Sequence, residues 1–107
     1  MSERYTVESA LKNALQSGDG TYGVLLEHGT LELGFYKPDG SDPQQPHEQD
    51  EIYIVQSGNG FFVCGESRQA FEPGEALFVP AGEVHRFEDF SDDFAAWVIF
   101  YGPDSGE

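Results

Sequence analysis

Apolar residues at Val7, Ala10, Leu11, Ala14 and Leu15 recur at the three-to-four spacing of one helical face. They predict an amphipathic helix over residues 6–17, with Thr6 as N-cap, Glu8 in the first turn and Gly18 placed to end it. After Gly18-Asp19-Gly20 the period shortens. Strand-like runs follow at 22–27, 31–36, 51–56, 60–64, 76–79, 84–87 and 94–101. They are broken at His28-Gly29, Pro38-Asp39-Gly40, Gly58-Asn59, Gly65-Glu66, Pro73-Gly74, Pro80-Ala81-Gly82 and Ser91-Asp92-Asp93. Short strands at this spacing predict an all-β sandwich or barrel with the helix packed outside. The whole chain, 1–107, reads as one domain, with the barrel over about 21–101.

Composition narrows the setting. Nine Phe, five Tyr and one Trp supply much of a core. Five basic residues against 20 acidic ones leave a formal charge of -15, which repels phosphate backbones and anionic lipid heads. Neither a nucleic-acid nor a membrane role is expected. Cys64 is the only cysteine, so no intrachain disulfide forms. With no leader-like or membrane-spanning run, a cytoplasmic location is the expectation.

Chemistry gathers in two stretches. In the first, His47 and Glu51 lie four residues apart and share a side if the run is a strand. Gly58-Asn59 then offers positive-φ residues for a tight hairpin. In the second, His85 follows the turn Pro80-Ala81-Gly82. Taken singly, His47 and Glu51 read as surface residues beside a turn, and His85 as an ordinary buried histidine. Together, two imidazoles and a carboxylate are the facial ligand set of non-haem Fe(II) proteins, and Zn²⁺ with a bound water accepts such a set too.

The second stretch, Gly74-(five)-Pro80-(one)-Gly82-(two)-His85-(three)-Asp89, resembles the second motif of the cupin superfamily, with Asp89 where the family has Asn. The first motif is met by His47, Glu51 and Gly58 at family spacing. Its first histidine position falls on Gln45, and Gly40 stands one residue off the leading glycine. The resemblance spans residues 40–89 and implies a cupin-type antiparallel β-barrel or jelly roll. It also implies one divalent transition metal held by His47, Glu51 and His85, with Gln45 a weak or indirect ligand. Fe(II) is favoured, with Zn, Ni and Mn as alternatives. The activity expected is that of a dioxygenase or related oxidoreductase on a small organic substrate. A metal-dependent isomerase or lyase of a sugar or keto acid is one rival, and a non-enzymatic sensing module the other.

Neighbouring residues receive lesser roles. Gln49 shares strand parity with the ligands and competes with Gln45 for a place beside the site. Asp50 points the other way and is expected in solvent. Tyr53 and Phe87 should point inward as core, Tyr53 with a hydroxyl that can touch substrate. Arg86 should face outward into a salt bridge, His28 should be structural, and Cys64 should act as a small hydrophobe. A homodimer is expected, with 94–101 as an outer strand at the interface.

Overall fold

The computed structural model describes residues 4–42 and 46–107. One helix and eight strands are present there: α1 (Val7–Gln16), β1 (Tyr22–His28), β2 (Leu31–Tyr36), β3 (Asp50–Ser57), β4 (Gly60–Cys64), β5 (Ser67–Phe71), β6 (Ala76–Val79), β7 (His85–Glu88) and β8 (Ala95–Tyr101). Five strands form an antiparallel sheet in the order β1-β2-β8-β3-β6, and three form a second in the order β5-β4-β7. The sheets face one another across an aromatic core, in the all-β jelly-roll arrangement that the strand spacing predicts.

Phe87 on β7 is the centre of that core. Its ring lies 4.6 Å from Phe94, 4.9 Å from Tyr53, 5.0 Å from Phe62 and 5.5 Å from Phe71, centroid to centroid. Tilted and edge-on contacts at these separations add to the burial of each ring. Tyr53 and Phe87 therefore do point inward.

Thr6 caps α1 by accepting a hydrogen bond from the Ser9 backbone N–H at 3.2 Å. The C-cap is Ser17, one residue before the expected glycine; its hydroxyl donates to the Asn13 carbonyl at 2.7 Å. Only part of the anticipated face is covered. Ala10 and Ala14 are buried on Phe35 and Ala95, whereas Val7 and Leu15 stay exposed. Small side chains let the helix come close: a Cβ on Gly23 of β1 would lie 3.0 Å from the Ala14 nitrogen.

β5 has no counterpart in the hydrophobic pattern. Four of its five residues are exposed and only Phe71 reaches the core. Its ladder with β4, from Gly60↔Phe71 to Cys64↔Ser67, holds it at the sheet edge. β8 is not an outer strand: β2 pairs with one of its edges and β3 with the other, so neither edge is open to a second copy. Asp50 is not in solvent either. The β6–β7 turn and the C-terminal segment fold over it, and its carboxylate accepts the Ala81 N–H at 2.9 Å and the Glu107 N–H at 3.0 Å. Tying down these amides offsets the burial of the charge.

At the β3–β4 hairpin Gly58 has φ +84°, while Asn59 has no positive φ. A Cβ on Gly58 would meet the Phe94 Cα at 2.5 Å. At the β1–β2 hairpin Gly29 has φ +61° and open space around it. Gly58→Ala should thus cost about 2–5 kcal/mol, from a left-handed backbone plus a backbone overlap. Gly29→Ala should cost only about 1–2 kcal/mol. Urea denaturation of the two variants beside the parent checks the ranking, and equal losses would refute it.

Candidate metal centre

Glu51 lies near the start of β3 and His85 opens β7, so the candidate site bridges the two sheets. His47 precedes β3 rather than lying on it. Its carbonyl accepts the Gly82 N–H at 2.7 Å, fastening the first motif to the turn of the second. The His47 ring then packs edge-on against Phe100 at 4.8 Å and lies 5.3 Å from the His85 ring.

One ligand atom from each of His47, Glu51 and His85 falls in a cluster no wider than 4.8 Å. Glu51 Oε1 lies 3.2 Å from His85 Nε2 and 3.9 Å from His47 Nε2. Two ligands at roughly 2.1 Å from one ion are at most about 4.2 Å apart, so both Glu51 contacts, to His85 and to His47, fit a shared ion. Burial is uneven: Glu51 and His85 are 1% and 2% exposed, while the His47 side chain is 36% exposed and faces the opening.

The hydrogen bonding of His85 decides what this cluster needs. Its Nδ1 lies 3.0 Å from the Glu83 carbonyl, which only accepts, so Nδ1 carries the proton. In neutral His85 the Nε2 atom is then a bare lone pair facing a carboxylate oxygen. Although the 3.2 Å contact is short, it is not aligned as a hydrogen bond, and both Glu51 oxygens and His85 Nε2 are buried without a hydrogen-bond partner among the described residues. Two acceptors so placed would be stabilised by a cation between them, either a proton or a metal ion. The electrostatics agree. Burial by itself lowers the His85 pKa, but the Glu51 carboxylate, the Glu83 carbonyl and Asp42 outweigh it and hold the imidazole above its ordinary value.

A cavity of about 510 Å³ opens onto Glu51 and His47. Tyr53 lines it, as does Phe100 of β8. So do Tyr22 of β1 and both Glu32 and Tyr36 of β2, none of which the sequence reading placed at a site. The Tyr22 hydroxyl donates to Glu32 Oε2 at 2.7 Å, and the Tyr36 hydroxyl donates to Asp42, which also accepts the Phe87 N–H at 2.7 Å. Burial, followed by the adjacent carboxylate, raises the pKa of both phenols, so they stay protonated. The alternation of β2 misleads here: Leu31, Leu33 and Phe35 share one parity and read as the inner face, which leaves Glu32 and Tyr36 for solvent.

The remaining candidates lie elsewhere. Gln49 does not join the cluster; its amide donates to the Thr30 and Gly102 carbonyls at 2.9 and 2.8 Å. Gln45 is outside the described residues. Arg86 points outward and pairs with Glu88 at 2.5 Å. Cys64 is half-buried against the core and His28 is exposed at the end of β1. No helix among the described residues is long and apolar enough to cross a membrane.

Comparison with known proteins places this architecture. The chain is 35% identical over 91 residues to an uncharacterised protein of Streptomyces coelicolor, covering 83% of this chain and 87% of that one. Over an alignment of 47 residues, covering 38% of this chain, it is 47% identical to acireductone dioxygenase 1 of Coprinopsis cinerea, but spans only 26% of that enzyme. Among solved structures, a Cupin 2 conserved barrel domain protein from Salinispora arenicola superposes with a TM-score of 0.69 at 18% identity, over 95% of this chain and 89% of that one. The model of the cupin domain family matches residues 33–101, from β2 to β8. On the strength of that match, which covers more than half of the chain, the chain belongs to the cupin family.

Proposed function

We propose that this cupin binds one divalent transition metal through His47, Glu51 and His85 and acts as a non-haem dioxygenase or related oxidoreductase on a small organic molecule. The observation that carries this reading is the pair of buried, facing acceptors, Glu51 Oε1 and His85 Nε2, of which Glu51, with His47, lines a cavity sized for a small ligand. A two-histidine, one-carboxylate set suits Fe(II) and leaves coordination positions open. The segment similar to a dioxygenase points the same way. When bound, the ion supplies Lewis acidity and, as iron, a centre for dioxygen chemistry.

The chain's own residues prepare the site around it. Glu83 fixes the His85 tautomer, leaving Nε2 to ligate. Tyr22 and Tyr36 keep their protons and offer hydroxyls at the cavity wall. Phe100 holds the His47 ring, and Tyr53 closes the floor against the core.

Proton and metal compete for the same gap, so their pH dependences should oppose one another. The folded-state pKa of His85 is raised, so its contribution to metal-free stability is complete below about 6.5 and is lost as pH rises through the folded value. Metal needs the neutral ring, so loading should stabilise little at pH 6 and most at pH 8. With free Zn²⁺ at about a hundredfold the Kd, the gain at pH 8 should be about 10–20 °C in Tm. Melting curves of metal-free and loaded protein across this range check it; superposable curves at pH 8 would refute the site.

Glu51→Gln separates a functional from a structural carboxylate. At pH 8, metal-free Glu51→Gln should be more stable than the parent by about 1–3 kcal/mol, since the amide can donate to His85 Nε2. The same change should weaken metal binding on the order of 100-fold. A carboxylate kept for structure would show a loss of stability instead.

Oxygen chemistry is tested with Fe(II)-loaded protein under argon. Nitric oxide, a stable stand-in for dioxygen, should give an iron–nitrosyl electron-spin-resonance signal with the parent and none with His85→Ala. A parent that binds Fe(II) without that signal would favour the isomerase, lyase or sensing alternatives.

A further inference from the structure

The cavity has a charge character beyond that of the metal centre. Asp19, Glu32 and Asp39 line it in addition to Glu51. No lysine or arginine among the described residues does. The chain has only five such residues, Arg4, Lys12, Lys37, Arg68 and Arg86. Lys37 Nζ donates to the Asp92 carbonyl at 2.6 Å. Arg68 pairs with Glu88 and Asp89 and lies 3.9 Å over the Phe61 ring, while Arg86 pairs with Glu88. Lys12 is exposed on α1 and Arg4 precedes it.

The acids are graded by depth. Asp19 and Asp39 are exposed, Glu32 is half-buried, and Glu51 is buried without a hydrogen-bond partner among the described residues. Two Thr21 hydrogen bonds to Asp19 Oδ1, at 2.6 and 3.0 Å, hold that carboxylate ionised. Tyr22 occupies one Glu32 oxygen and orients the group. A divalent ion with Glu51 would leave a net single positive charge, and the three other carboxylates outweigh it. Low-dielectric walls focus such a field. The aromatic rings of Tyr22, Tyr36 and Phe100 also line the cavity, and ring faces attract cations through their quadrupoles.

We propose that this cavity selects a small organic cation, an amine carried on an apolar or aromatic body, and excludes phosphorylated and carboxylate substrates. The ammonium would sit between Glu32 and the aromatic walls, with the rest of the molecule directed toward Glu51 and His47. Because this rests on the cavity being the substrate chamber of the proposed centre, the test is designed to be independent of metal.

The probes are 2-phenylethylamine, 2-phenylethanol and phenylacetate, which share a ring and differ in charge. Binding to metal-free protein is measured by calorimetry at pH 7.5 in low salt, then at 0.5 M NaCl. The amine should bind at least about tenfold more tightly than the carboxylate, with the alcohol between them, and salt should narrow the gap. Glu32→Gln, which keeps an acceptor for Tyr22, should weaken the amine about three- to tenfold and leave the alcohol unchanged. Glu66→Gln, at the exposed β4–β5 turn, removes the same charge outside the cavity and should change none of the three. Carboxylate binding equal to amine binding would overturn the inference, as would equal effects of the two substitutions or no binding of the amine at millimolar concentration. The metal reading survives each of those failures, and a metal-free protein that discriminates as expected but takes up no ion would sink the metal reading alone.

Discussion

Glu51 Oε1 and His85 Nε2 set two acceptors 3.2 Å apart in a nearly solvent-free space, and neither has a donor among the described residues. Most natural cores pair or expel such atoms, because an unsatisfied buried acceptor costs about 1–3 kcal/mol and a buried charge more. Here the surrounding structure holds them in place. Glu51 lies within β3, paired on both sides with Phe100 and Val79, so the strand cannot shift to release it. His85 opens β7, whose next inward residue, Phe87, is the hub of the aromatic core. Displacing either acceptor would disturb the packing between the two sheets.

Asp42 reinforces this link from outside the cluster. It accepts the Phe87 N–H with one oxygen and the Tyr36 hydroxyl with the other, tying β7 to the cavity wall. His47 is less constrained, being half-exposed and ahead of the strand, and its ring is placed by Phe100 and by the Gly82 hydrogen bond to its carbonyl. The site thus combines two rigid residues with one at the opening, which suits a centre that must admit ligands and still keep its geometry.

The larger sheet serves two partners. Its outer face receives α1 through Phe35 and Ala95, and its inner face lines the cavity with Glu32, Tyr36, Glu51, Tyr53, Val98 and Phe100. In β2 this reverses the usual sense of the alternation: Phe35 turns outward under the helix, while Glu32 and Tyr36 face the chamber. A reading that assigns the apolar parity to the interior places them in solvent, and for that reason the cavity acids were not legible beforehand.

The sequence by itself determined the elements whose cause is local. The helical face around Ala10 and Ala14, the strand runs, the turn at Gly58 and the motif spacings of His47, Glu51 and His85 all follow from short-range periodicity and backbone freedom. Tertiary structure decided whatever depends on residues distant in the chain. Asp50 is buried because the Ala81 and Glu107 amides arrive from elsewhere and need an acceptor. Gln49 leaves the site because the Thr30 and Gly102 carbonyls lie within its reach. β8 is interior because both neighbours pair with it. Each of these outcomes is a hydrogen bond whose partner lies far off in sequence, and no local pattern encodes where such a partner will be.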